Sequence, residues 1–225
     1  MLNKLKLWQK LLIFIFFAWL ILFIILLIIT SLYNRNLRGL ISIAGLILYG
    51  GAFLIFWRRR AQIIEKLKVK NTLLNFLITG WLAALLIEML LYFTLSYQHQ
   101  IGVILDIAYT APTYLVLIYG WYILLKRYPV SSKEIFFLGG LNGLLIELPQ
   151  KIFSGQDIIG IIVGSPLHVF IYGSLLLIPA TLLGLTTRSS GTLIKKYFFA
   201  LIIIPLIVLP ANVLSIIILA IGQKL

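Results

Sequence analysis

LLIFIFFAWLILFIILLII, Leu11–Ile29, is nineteen residues without a charge or a proline. As a helix it is about 28 Å long, close to the thickness of a bilayer's hydrocarbon core. Lys4, Lys6 and Lys10 precede it, in the manner of a signal peptide. The run is too long for a signal's apolar core, and no small-x-small cleavage site follows, so it reads as an uncleaved first span.

The rest of the chain follows suit. Of 225 residues 62% are hydrophobic, with a mean hydropathy of +1.10. The longest polar stretch is Arg58–Thr72, which leaves no room for a separate soluble domain. The expectation is one integral membrane domain over 1–225, all-α and polytopic. Its seven spans fall at about 11–32, 40–57, 73–95, 101–125, 135–153, 158–185 and 197–221. The sixth is long for one straight span. Gly160, Gly164 and Pro166 predict a short interfacial or re-entrant piece before the helix proper.

Charge supplies an independent check. Seven spans place the N-terminus and the 2–3, 4–5 and 6–7 loops on one side, together with fifteen of the nineteen basic residues. The positive-inside rule then puts the N-terminus in the cytoplasm and the C-terminus outside, most simply in the plasma or cytoplasmic membrane. The net charge of +13 is thus a property of loops facing anionic lipid, and nucleic acid is not an expected partner. Arg58, Arg59, Arg60, Lys66, Lys68 and Lys70 form the densest cluster. With Ile63, Ile64 and Leu67 at helical spacing, they predict a short amphipathic helix on the inner leaflet.

Spans 3–4 and 5–6 share wording. Leu85-Leu86-Ile87-Glu88 matches Leu144-Leu145-Ile146-Glu147, and Ile118-Tyr119-Gly120 matches Ile171-Tyr172-Gly173. This predicts a two-helix repeat. An even number of helices per copy relates the copies by an axis along the membrane normal.

An ionisable residue inside a span is costly and usually faces the bundle or water. Glu88, Asp106, Glu147 and His168 are such residues, all expected in the outer half, and form the candidate substrate- or ion-binding set. Lys151, four residues after Glu147, is a possible ion-pair partner. Asn142 is a possible neighbour of Glu147. Six prolines, Pro149 among them, lie within or at the edge of spans, and each disrupts a helical hydrogen bond. Broken helices beside carboxylates are one way to build a transport site. Gly139-x-x-x-Gly143, Gly160-x-x-x-Gly164 and Ala180-x-x-x-Gly184 predict close helix packing.

With no cysteine there is no disulfide and no thiolate chemistry. Two histidines cannot build a three-histidine zinc site, no His-Glu-x-x-His or Gly-x-Ser-x-Gly occurs, and span 7 has no lysine for retinal. No metal or cofactor is expected. Three functions remain open: a small transporter with an outward-opening acidic cavity, a non-catalytic subunit of a membrane complex, or a lipid- or isoprenoid-modifying enzyme using a buried carboxylic acid.

Overall fold

A computed structural model describes residues 7–95, 102–153, 158–187 and 194–222, without the side chains of 8, 9, 38, 42, 90–95, 149–153, 158, 160 and 161. Seven helices occupy them: α1 (Leu7–Tyr33), α2 (Leu37–Leu67), α3 (Leu73–Leu95), α4 (Val103–Arg127), α5 (Ser132–Phe153), α6 (Ile158–Leu182) and α7 (Ile194–Gly222). The last passes through a π-helical turn at Phe199–Ile203. Five helices, α1, α2, α4, α6 and α7, are long and apolar enough to cross a membrane. The chain is a multi-pass integral membrane protein. α3 is apolar over the shorter stretch Leu73–Met89, and α5 carries Lys133, Glu134 and Glu147.

Local chemistry sets the helix ends. The Asn36 side chain accepts from the Gly39 N–H at the start of α2. At the start of α5, Ser131 and Glu134 form a reciprocal capping box. The Ser131 N–H donates to Glu134 Oε2 (2.8 Å), and the Glu134 N–H donates to Ser131 Oγ (3.3 Å). At the end of α6, Gly184 takes a left-handed conformation (φ +65°). The Leu185 N–H then reaches the Ala180 carbonyl, and the Gly184 N–H that of Thr181. Ala180-x-x-x-Gly184 is therefore a helix stop, and a Cβ added at Gly184 would meet nothing within 4 Å.

α6 is the central element and packs against α1 to α5. Its tightest contact is with α5. A Cβ at Gly140 would collide with the Val169 backbone, one at Gly143 with the Tyr172 ring, and one at Gly173 with the Phe136 carbonyl. The packing predicted for Gly139-x-x-x-Gly143 is present. Gly164 faces Phe23 of α1, while Gly160 lies outside the described side chains. Trp121, Leu117, Leu124, Leu175 and Leu176 are fully buried in the core this creates. The Thr187 N–H donates to the Val130 carbonyl (3.0 Å), so the α4–α5 and α6–α7 connections meet at one end of the bundle. That end carries Lys126, Arg127, Lys133, Lys195 and Lys196 and is called the basic end below.

Three expectations need correction. Arg58–Leu67 is not a separate amphipathic helix: α2 runs unbroken for 31 residues, because nothing in Arg58–Leu67 stops a helix until Lys68 turns left-handed. Its last turns project past the apolar segment, with Arg58, Arg59, Lys66, Lys68 and Lys70 exposed or partly exposed. Arg60 instead folds back over the Trp57 ring (4.2 Å). Nor does α6 break near Pro166, which lies inside one continuous helix together with Pro179.

Broken helices, finally, are not how the prolines act. Pro112 and Pro210 also sit inside continuous helices. Pro205 follows the π turn, and a specific partner compensates for it. The Ile204 N–H bonds to the Phe199 carbonyl, five residues back. In that register the Ala200 carbonyl would need the N–H of Pro205, which proline lacks. The fully buried Asn142 amide of α5 donates to this carbonyl. Asn142 thus serves α7, a partner that its spacing from Glu147 does not announce.

Candidate functional site

Glu88 of α3 and Glu147 of α5 each lie about 22 Å along their helix from the basic end. Each accepts a hydrogen bond from a tyrosine on the following helix. The Tyr114 hydroxyl of α4 donates to Glu88 Oε1 (2.6 Å), and the Tyr172 hydroxyl of α6 donates to Glu147 Oε1 (2.5 Å). Sequence separations are 26 and 25 residues. Both tyrosines are buried, and their rings stack with centroids 6.1 Å apart at 24°. Trp81 of α3 also lies against Tyr114 (6.5 Å).

His168 extends the chain. Its Nε2 is 3.1 Å from Glu147 Oε2, and its Nδ1 is 3.0 Å from the Gly164 carbonyl one turn earlier on α6. Both side chains are partly open, 22% for His168 and 25% for Glu147. Glu147 and His168 are thus directly paired, and the stacked Tyr114 and Tyr172 rings set the Glu88–Tyr114 bond beside them, so that four helices contribute to one cluster. Asp106, in the first turn of α4, is 8% exposed. It and Glu147 both act electrostatically on Glu88, and all three carboxyls act on Tyr109.

The structure thus pairs Glu147 with His168 and brings Glu88 beside them through the stacked rings of Tyr114 and Tyr172. The side chains of Lys151 and Pro149, and Asp157 as a whole, lie outside the described residues. Sequence reasoning misses the tyrosines as partners. The shared Ile-Tyr-Gly wording pairs Tyr119 with Tyr172, yet Tyr119 is 44% exposed. Tyr114, five residues earlier and some 140° around the helix, faces the bundle.

Two smaller polar links flank the site. The Tyr49 hydroxyl of α2 is 2.6 Å from Ser174 Oγ of α6. Thr113 of α4 meets Asn212 (2.6 Å) and Ser215 (3.1 Å) of α7. At the basic end the fully buried Lys196 donates to Glu134 Oε1 (2.5 Å), and Tyr197 donates to the same oxygen (3.0 Å). Burial pushes the Glu134 carboxyl up. Bonds from Lys196, Ser131 and Tyr197 outweigh it and hold the group below its ordinary value. This pair ties α7 to the start of α5.

Among the described residues, no group of three or more His, Asp or Glu side chains is placed to hold a metal ion. No family model, curated protein or solved structure matches the chain.

Proposed function

We propose that the protein is a small proton-coupled permease for a cation, with Glu88, Glu147, Asp106 and His168 as its exchange site. The observation that carries this reading is the convergence of two glutamates from separate helix pairs, each bonded to one of two stacked tyrosines and one of them paired with a histidine. Charged groups of this kind inside membrane helices mark ion pathways and proton relays. Carboxylates attract a cation, and the aromatic faces of Trp81, Tyr109, Tyr114 and Tyr172 suit one.

The same proposal includes seven spans, with α3 and α5 crossing in the interior. Their 23 and 22 residues reach about 33–35 Å. The N-terminus is cytoplasmic, and the projecting basic end of α2 rests on anionic lipid. The matched Glu–Tyr pairs favour a parallel two-helix repeat, with Tyr114 as the counterpart of Tyr172.

The test is reconstitution in liposomes holding a pH-sensitive dye, with imposed gradients of sodium, potassium or tetramethylammonium. Protein-dependent proton movement against one of these gradients, abolished by Glu88→Gln and by Glu147→Gln, is expected. No proton movement with any of them, or movement unchanged in both variants, contradicts the reading.

A second reading has its own observation. The Glu–Tyr bonds join α3 to α4 and α5 to α6, as interhelical glue in a non-catalytic subunit would. Partner subunits co-purifying at fixed stoichiometry, without flux, would favour it.

A further inference from the structure

The first turn of α7 is held differently from the rest of that helix. Lys196, fully buried, and Tyr197 both donate to Glu134 Oε1 of α5, and Lys196 Nζ is also 3.4 Å from the Pro129 carbonyl. Just behind them the Phe199 ring meets Tyr128 (6.4 Å). The other side of the turn is bare, with Ile194 81% and Phe198 56% exposed. Ile194–Phe198 is thus a flap at the basic end, fastened to the α4–α5 connection and to the start of α5.

Behind the flap the backbone ladder of α7 is interrupted. Pro205 has no N–H to give the Ala200 carbonyl of the π turn, and the donor to that carbonyl is Asn142 of α5. Helices bend most readily where a π turn or a proline replaces regular bonding, and here the two are adjacent. The Asn142 bond pins α7 to α5 at this point, so it serves as a pivot. Beyond the pivot α7 is firmly seated on α4. Ile204 fits against Gly120, and Thr113 holds Asn212 and Ser215.

A separate observation concerns the interior of the same end. Trp121 Nε1, Asn142 Oδ1 and Thr181 Oγ1 are buried and have no hydrogen-bond partner among the described residues. All three lie within about 15 Å of the basic end along their helices. A buried polar atom without a partner is penalised, and water reaching it removes the penalty. Opening at this end therefore regains part of what unfastening the flap loses.

We propose that the first turn of α7 is a gate at the basic end of the bundle, latched by Lys196 and Tyr197 on Glu134 and hinged at the π turn. This deepens the permease reading and rests on it for what the gate admits. Glu147 lies about 20 Å along α5 from the latch. A permease must expose such a site to each side in turn, and the latched turn is the closed state of one side.

The chain has no cysteine, so single cysteines report opening directly. In the full chain in lipid nanodiscs, Ala200→Cys, at a fully buried position behind the latch, should react slowly with a water-soluble maleimide. Adding Glu134→Gln or Lys196→Met should speed that reaction by at least about tenfold. Ser215→Cys, buried beyond the hinge, should keep its rate. Ile204→Cys replaces Ala200→Cys if the latter does not fold. Spin labels on cysteines at Lys195 and Lys126, both exposed, should move apart in Glu134→Gln. Labels at Val213 and Ile104, on the far side of the hinge, should hold their distance. A buried cysteine indifferent to both latch variants overturns the proposal. So does equal acceleration of Ser215→Cys, which is general loosening, or displacement of the far label pair, which is tilting of the whole helix. A gate without cation-driven proton movement upholds the hinge and removes the permease; proton movement with Ala200→Cys indifferent to the latch does the reverse.

Discussion

Tyr114 and Tyr172 stack on each other inside the bundle while each binds a glutamate on a different helix. The stacking puts the two Glu–Tyr units in contact through their rings, so a shift of either tyrosine bears on the other. Glu88→Gln and Tyr172→Phe are linked only through Tyr114, yet their effects on stability should not add. A double-mutant cycle followed by unfolding in detergent should give a coupling of about 0.5–3 kcal/mol. Additivity would mean that the two stacked units act independently.

Asn142 and Pro205 make a second linked pair. Asn142→Ala strips the Ala200 carbonyl of its donor and should cost about 1–3 kcal/mol. Pro205→Ala restores a backbone N–H in the next turn. In that background the Asn142→Ala penalty should shrink, as melting of the four variants would show.

Glycine contacts should separate cleanly by position. Gly140→Ala and Gly173→Ala place a methyl group against backbone, and overpacking of this kind costs about 1–3 kcal/mol. Gly164→Ala, whose nearest neighbour is the Phe23 ring at 3.6 Å, should melt close to the wild type.

Glu134 provides a pH-dependent contribution outside the spans. Its folded-state pKa is held below the ordinary glutamate value of about 4.3. The stabilisation is therefore complete above that value and disappears as pH falls through the lower folded one. The stability gap between wild type and Glu134→Gln should be constant near neutrality and close below about pH 4. Lys196→Met leaves Glu134 without its cation, and for a well-buried pair the loss is about 3–5 kcal/mol. Glu134 is partly open, so the lower part of that range is expected.

Much of this architecture is legible in the sequence. Except at α2, which continues past its apolar run to Leu67, helix limits follow from the lengths of apolar runs, and the costly residues Glu88, Asp106 and Glu147 stand out because so few acids interrupt them. The partners are harder to read for a physical reason. In a lipid-facing helix both faces are apolar, so the helical phase that separates Tyr114 from Tyr119 leaves no trace in polarity. Ser131-x-x-Glu134 has the spacing of a capping box, but its link to Lys196 spans 62 residues. The bond from Asn142 to Ala200 depends on a π turn that no local pattern announces.

Topology can be tested simply because the chain has no cysteine. Single cysteines at Asn36 and Gly102 should react with an impermeant maleimide from outside intact cells. Those at Lys70 and Thr187 should react only after permeabilisation. The reverse pattern would invert the orientation proposed from charge.

If the protein is the proton-coupled permease proposed above, Glu88 is kept for proton exchange and not for strength. The carboxamide introduced by Glu88→Gln keeps an oxygen that accepts from the Tyr114 hydroxyl, so the variant retains the bond between α3 and α4. The decisive measurement is the melting temperature of Glu88→Gln beside wild type, in nanodiscs, from about pH 5 to about pH 8. An equal or higher value throughout is predicted, since function-serving charges tend to be kept at a cost to stability. A value several degrees lower at every pH would make Glu88 structural glue and contradict the account.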